Sequence, residues 1–197
     1  MPNQIFVGIT GGIGSGKTFV SGILKNLGFP VYNSDERAKF LTENSPEILS
    51  SIKNTFGKEV FDGEQLNRPA LAKVVFSGKQ LLEQLNQIIH PVVAEDYKKW
   101  QALQRSAICF KEAAILFEIG AYKSMDANVL VTANKELRIE RVLDRDGGSV
   151  SSITDRMERQ WSDEKKSELA DYILDNSGFK PLVPQIDQLL KYLKSRI

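Results

Sequence analysis

A single cysteine, a single histidine, no apolar run of about 18 residues and almost no charge surplus mark this chain, and each scarcity removes a class of protein. One cysteine closes no intrachain disulfide, and Cys109, inside Ala107-Ile108-Cys109-Phe110, reads as a small buried side chain. One His with one Cys falls short of a zinc centre. The first ten residues carry neither a basic n-region nor a long apolar h-region, so a cytoplasmic chain with no membrane partner is expected. The 26 Lys+Arg offset 25 Asp+Glu to a net charge of +1, and no overall field draws in nucleic acid. At 197 residues, without repeats or low-complexity tracts, the chain suits one compact enzyme acting on small molecules, with room for one or two inserted subdomains. The sequence sets no oligomeric state.

What the chain does have is Gly11-Gly12-Ile13-Gly14-Ser15-Gly16-Lys17-Thr18, which fits G-x-x-x-x-G-K-[ST]. The run before it, Ile5-Phe6-Val7-Gly8-Ile9, is apolar and β-prone; the segment after it sets Val20, Ile23, Leu24 and Leu27 at helical spacing, with Gly28 as a helix stop. Glycines let backbone N–H groups turn onto phosphate oxygens, and the helix N-terminus adds partial positive charge there. Gly12, Ile13, Gly14, Ser15 and Gly16 are therefore expected to cradle nucleotide phosphates, Lys17 to reach the β/γ-phosphates and the Thr18 hydroxyl to ligate Mg²⁺.

Further strands are expected at Pro30-Val31-Tyr32, residues 107–111, residues 128–132 and Tyr172-Ile173-Leu174. Strands alternating with helices argue for an α/β fold with a five-stranded parallel sheet covered on both faces. Residues 37–105 show only helical patterns, such as Leu81, Leu82, Leu85, Ile88 and Ile89, and read as a helical insertion. Residues 144–166 are charge-rich and contain Gly147-Gly148-Ser149 as a hinge, a pattern that fits a lid and a solvated surface helix alike.

A phosphate loop leaves the reaction open. A GTPase would need Asn-Lys-x-Asp, and Asn134-Lys135-Glu136-Leu137 has leucine where guanine needs a carboxylate. A kinase needs a proton acceptor at a neighbouring strand end and cations for the transferring group. Asp35, in Tyr32-Asn33-Ser34-Asp35, fits the first role; it equally fits an N-cap for a helix beginning at Glu36, and local pattern favours the cap. Arg138, Arg141 and Arg145 share one helical face. They form either a surface stripe paired with Glu140, Asp144 and Asp146 or an anion clamp.

At these residues the sequence closely resembles the dephospho-CoA kinase family. Gly8-Ile9-Thr10 through Thr18 is similar to that family's opening G-L-T-G-G-I-G-S-G-K-S. Asn67-Arg68-x-x-Leu71 with Phe76, Leu85-x-x-Ile88-Ile89-His90-Pro91, Ile115-Leu116-Phe117-Glu118, Arg156-x-x-x-Gln160 and Ala170-Asp171-Tyr172-Ile173-Leu174-Asp175-Asn176-Ser177-Gly178 follow in the family's order across nearly the whole chain. The resemblance implies transfer of the ATP γ-phosphate to the ribose 3′-hydroxyl of dephospho-CoA, with Mg²⁺. It assigns Asp35 as base, Arg141 and Arg145 to ATP phosphates, Asn176 to the nucleotide site, and Arg68 and His90 to the acceptor.

It also divides the chain into a nucleotide-binding core (residues 1–36, 106–143 and 167–197), a helical CoA-binding domain (37–105) and a lid (144–166). Three departures from the family pattern stand out. Asn33-Ser34-Asp35 keeps one carboxylate of a usual Asp-x-Asp. Glu112-Ala113-Ala114 keeps an acid, able to hold a Mg²⁺-bound water, but loses a proline. Arg138 falls where some relatives carry a neutral residue and reads as peripheral. His90, before Pro91, is expected to end its helix and to serve structure or substrate orientation rather than proton transfer. The alternatives are another small-molecule or nucleoside monophosphate kinase, or a non-catalytic ATP-dependent regulatory protein.

Overall fold

A computed structural model describes residues 4–197 and divides them into two compact units, one comprising residues up to Asn33 with Gln104–Ile197 and the other Ser34–Leu103. The first unit is built on five parallel strands: β1 (Ile5–Thr10), β2 (Val31–Asn33), β5 (Ile108–Glu112), β6 (Ala127–Thr132) and β7 (Tyr172–Asp175). Their order is β2-β5-β1-β6-β7, with Val7 level with Phe110 on one side and Ala127 on the other. Side chains alternate across a strand, so Ile5, Val7 and Ile9 point to one face, where they join Ile108, Phe110, Val129 and Val131. Val20 and Leu24 of α1 (Lys17–Asn26) and Ile186, Leu189 and Leu193 of α9 (Leu182–Lys194) complete that core. Helix α1 stops as its sequence predicts: Gly28 takes φ 89° and donates to the Lys25 carbonyl at 2.9 Å, while the Phe29 N–H reaches the Leu24 carbonyl at 3.0 Å.

Between β6 and β7 lie α6 (Lys135–Asp146), α7 (Val150–Glu158) and α8 (Asp163–Ser167). Gly147 and Gly148, both at positive φ, separate α6 from α7, and Ser149 opens α7 with a capping box closed by Ser152.

The second unit holds α2 (Ser34–Asn44), α3 (Pro46–Phe56), α4 (Arg68–Val75) and α5 (Lys79–Ala102) around Ile48, Ile52, Val60, Leu71 and Val75. Two features differ from expectation. A short antiparallel hairpin, β3 (Phe61–Asp62) with β4 (Gln65–Leu66), interrupts the helices; two residues a side are too few to leave an alternating pattern in the sequence. And α5 does not end at His90 but runs on through Pro91 to Ala102, 24 residues in all. Proline inside a helix costs about 3 kcal/mol. Burial of Leu82, Leu85, Ile88, Ile89 and Val92 against the unit's core outweighs it.

A buried lysine breaks the apolar pattern of β5. Lys111 lies in β5 with 9% of its surface exposed, level with Gly8 and Tyr32, and burial pulls its pKa down to about 8. Unfolded, this lysine takes a proton below about 10.5. The unfolded state therefore binds more protons between pH 8 and 10.5, so stability rises through that window and the full penalty applies below it. Lys111→Met is expected to stabilise the chain at pH 7 by up to about 3 kcal/mol, with the gain fading as pH approaches 10.5. Denaturant titrations at pH 7 and pH 10 measure the difference; an equal gain at both would refute burial of charge as its origin.

Candidate active site

The phosphate loop joins the carboxyl end of β1, at the centre of the sheet, to the N-terminus of α1, where open parallel sheets bind ligands. Gly14 (φ 78°) and Gly16 (φ 93°) adopt left-handed conformations that side chains strain, and these reverse the chain so that α1 starts at Lys17. No side chain caps this helix and no acid lies in its first turn, so its orphan N–H groups and its dipole favour an anion. Lys17 folds over the loop, its Nζ donating to the Gly11 carbonyl at 2.9 Å and lying 3.4 Å from that of Gly12. Ser15 is buried.

The loop is braced from outside by two of the expected nucleotide residues. Asn176, just past β7, donates its Nδ2 to the Ser15 carbonyl at 2.8 Å. Arg141, on α6, donates to the Asn176 carbonyl at 2.9 Å and approaches that of Gly14 at 3.5 Å. Both therefore hold loop backbone. Arg145, one turn further along α6, is not brought to the loop: its Nε and Nη2 grip Asp146 at 2.7 and 2.9 Å, and Arg156 adds a 3.3 Å contact. The Arg145 hydrogen bonds, with help from Arg156, pull the Asp146 carboxyl down to about pKa 2.

Thr18 and Glu112, each expected at the Mg²⁺ site, meet in the structure. The Thr18 hydroxyl donates to Glu112 Oε1 at 2.9 Å across 94 residues of sequence. Glu112 ends β5 with 2% of its surface exposed, and its Oε2 is buried without a hydrogen-bond partner. An orphaned, buried carboxylate oxygen beside a loop hydroxyl fits a hard divalent cation. Among the described residues no cluster of three or more His, Cys, Asp or Glu could hold a metal. Mg²⁺ does not need one: it is usually bound through one or two carboxylates, waters and substrate phosphates.

The remaining candidates belong to the second unit. Asp35 is exposed and sits in the first turn of α2, which starts one residue earlier, at Ser34. Arg68 opens α4 and pairs with Glu43 at 2.9 Å. His90 is half-buried in mid-helix, and burial lowers its pKa, favouring the neutral ring.

A family model described as dephospho-CoA kinase matches residues 5–181. This chain belongs to the dephospho-CoA kinase family. A dephospho-CoA kinase from Bacteroides fragilis is 42% identical to it over 194 residues, covering 98% of this chain and 95% of the relative. One from Porphyromonas gingivalis is 39% identical over 194 residues, covering 98% and 96%. The solved dephospho-CoA kinase from Campylobacter jejuni shares the fold with a TM-score of 0.68 at 25% identity, covering 98% of both chains. As a kinase of this family, the chain uses ATP.

Residues that sequence reasoning passed over crowd the same loop. Arg138, set aside as peripheral, is 12% exposed and donates its Nε to the Ile13 carbonyl at 2.9 Å. Gln160, the last residue of Arg156-x-x-x-Gln160, accepts the Ile13 N–H at 2.8 Å. Away from the loop itself, Glu118 accepts the Trp161 N–H at 3.1 Å and stands 3.0 Å from the fully buried Lys166 ammonium. The spacing of Arg138 on one face with Arg141 was the available signal for the first; nothing local marks the other contacts.

Proposed function

We propose that this chain transfers the γ-phosphoryl group of ATP to the ribose 3′-hydroxyl of dephospho-CoA, releasing coenzyme A and ADP in the final step of CoA biosynthesis. The observation that carries the reading is the Thr18–Glu112 contact under an uncapped phosphate-loop helix, in a chain whose residues 5–181 match the family.

In this reading the amides from Gly14 to Thr18 and the Lys17 ammonium hold the β- and γ-phosphates. Asp35, two residues beyond β2, accepts the proton of the 3′-hydroxyl as its oxygen bonds to the γ-phosphorus and the bond to the ADP oxygen breaks. Thr18 and Glu112 would hold Mg²⁺, the latter directly or through water, which supplies neutralisation of charge on the transferring group. Arg141 keeps the loop in shape, and Arg145 exchanges Asp146 for phosphate when the lid, carried within residues 144–166, closes. Residues 37–105, with Arg68 and His90, take the acceptor. Among the described residues no helix is long and apolar enough to cross a membrane.

The test is ADP release by the purified chain with ATP and Mg²⁺, offered dephospho-CoA, AMP, shikimate, gluconate or no acceptor. Dephospho-CoA is expected to be used at least a hundredfold faster than the others, with little hydrolysis in its absence. Preference for any other acceptor would overturn the assignment.

A further inference from the structure

Ile13 is held on both sides of its backbone by side chains more than a hundred residues away. Its N–H donates to Gln160 Oε1 at 2.8 Å, and its carbonyl accepts from Arg138 Nε at 2.9 Å. Arg138 in turn donates its Nη1 to Asp163 Oδ2 at 3.0 Å, in an ion pair whose side chains are 12% and 21% exposed. The loop is shaped to admit this arginine. A methyl group at Gly12 would overlap the Arg138 guanidinium, and one at Gly14 would overlap the Arg138 carbonyl.

The segment carrying Gln160 and Asp163 is itself anchored. The Trp161 N–H and the Lys166 ammonium both reach Glu118 Oε1, at 3.1 and 3.0 Å, and the Ser162 hydroxyl caps α8. Residues 160–166 are thus a fixed abutment for the loop, and any lid movement falls to the part between Gly147 and Arg159.

We propose that Arg138, Gln160 and Asp163 form a clamp on the Ile13 peptide that sets the phosphate loop in its working geometry. With the Ile13 N–H committed to Gln160, phosphate is left to the amides that follow it. The three are positioning residues: they act through Ile13 on the amides of Gly14 to Thr18. Displacement of reacting groups by about 1 Å costs on the order of a hundredfold in rate. The inference rests on the loop being the ATP site.

The test uses the full chain and the variants Gln160→Met, Gln160→Glu, Arg138→Met, Asp163→Asn and the double variant Gln160→Met with Arg138→Met. Rates with ATP and dephospho-CoA, Mg·ADP affinity by calorimetry and melting temperature are measured for each. Gln160→Met and Arg138→Met are each expected to lower kcat about ten- to a hundredfold, with the KM for dephospho-CoA within about twofold of the parent. The double variant should fall little further than the worse single one, because both grip one peptide. Gln160→Glu, which still accepts from the Ile13 N–H, should stay within about threefold of the parent.

Lowered melting temperature with kcat and ADP affinity unchanged would overturn the clamp, as would fully multiplicative effects in the double variant. Asp163→Asn keeps an oxygen that accepts from Arg138 Nη1 and should stay within about tenfold of the parent; if Arg138→Met does not fold, Gln160→Met decides the matter, a kcat equal to the parent's counting against the clamp. A parent that binds Mg·ADP but phosphorylates no acceptor refutes the proposed reaction alone. The clamp is then judged on ADP affinity, tenfold weaker in the variants if it holds and unchanged if it does not. A parent that binds no nucleotide overturns both.

Discussion

Lys17→Ala is expected to cut turnover by at least about 10²–10³-fold under saturating ATP and Mg²⁺, the range typical for loss of one group that stabilises developing charge. The lysine is the loop's own cation, and its Nζ lies over the Gly11 and Gly12 carbonyls, in reach of a nucleotide seated on α1. Alanine is the best helix former, so α1 should still begin at position 17 and the melting temperature should move little. ATP affinity should fall less than rate, because the loop amides and the helix N-terminus stay in place. Steady-state kinetics with nucleotide binding separates the two quantities. Near-parental turnover would mean that this loop is not where phosphate is transferred.

Asp35→Asn tests the base. A positioned proton acceptor contributes about 10²–10⁴-fold, and asparagine cannot accept the proton of a hydroxyl, so turnover should fall at least about a hundredfold with ATP affinity unchanged. Because Asp35 lies in the first turn of α2, the substitution also forfeits an interaction with the helix dipole, worth about 0.3–1 kcal/mol at an exposed site. A small drop in melting temperature is therefore expected. A variant that loses those tenths of stability yet turns over dephospho-CoA at the parent's rate, with chemistry rate-limiting, shows Asp35 to be a helix-dipole residue and nothing more.

The loop and the five strands were legible in the sequence because their causes are local. A glycine-rich turn must lie where the backbone takes positive φ, and Gly14 and Gly16 do. A strand buried on both faces must be an apolar run, as in residues 5–9 and 127–132. The helical insertion showed through its 3.6-residue period, whereas β3 and β4 were too short to register. The expected helix end at His90 failed for a related reason. Local proline chemistry favours a stop there, but the apolar face continuing through Ile88, Ile89 and Val92 had a core to pack against, and packing outweighed propensity.

Alone, the sequence marked the glycine-rich loop ending at Thr18 as the place to expect phosphate, and it determined that the core is a parallel α/β sheet and, through motifs running its whole length, which kinase family it resembles. Only the tertiary structure decided what the polar side chains around the loop do. Arg138, Arg141 and Arg145 share one helical stripe, yet the first grips Ile13, the second reaches Gly14 and Asn176, and the third turns to Asp146. Periodicity fixes the face on which a side chain stands, but its partner depends on which distant backbone the sheet carries there. For Arg138 that backbone is 125 residues away, and for Gln160 it is 147.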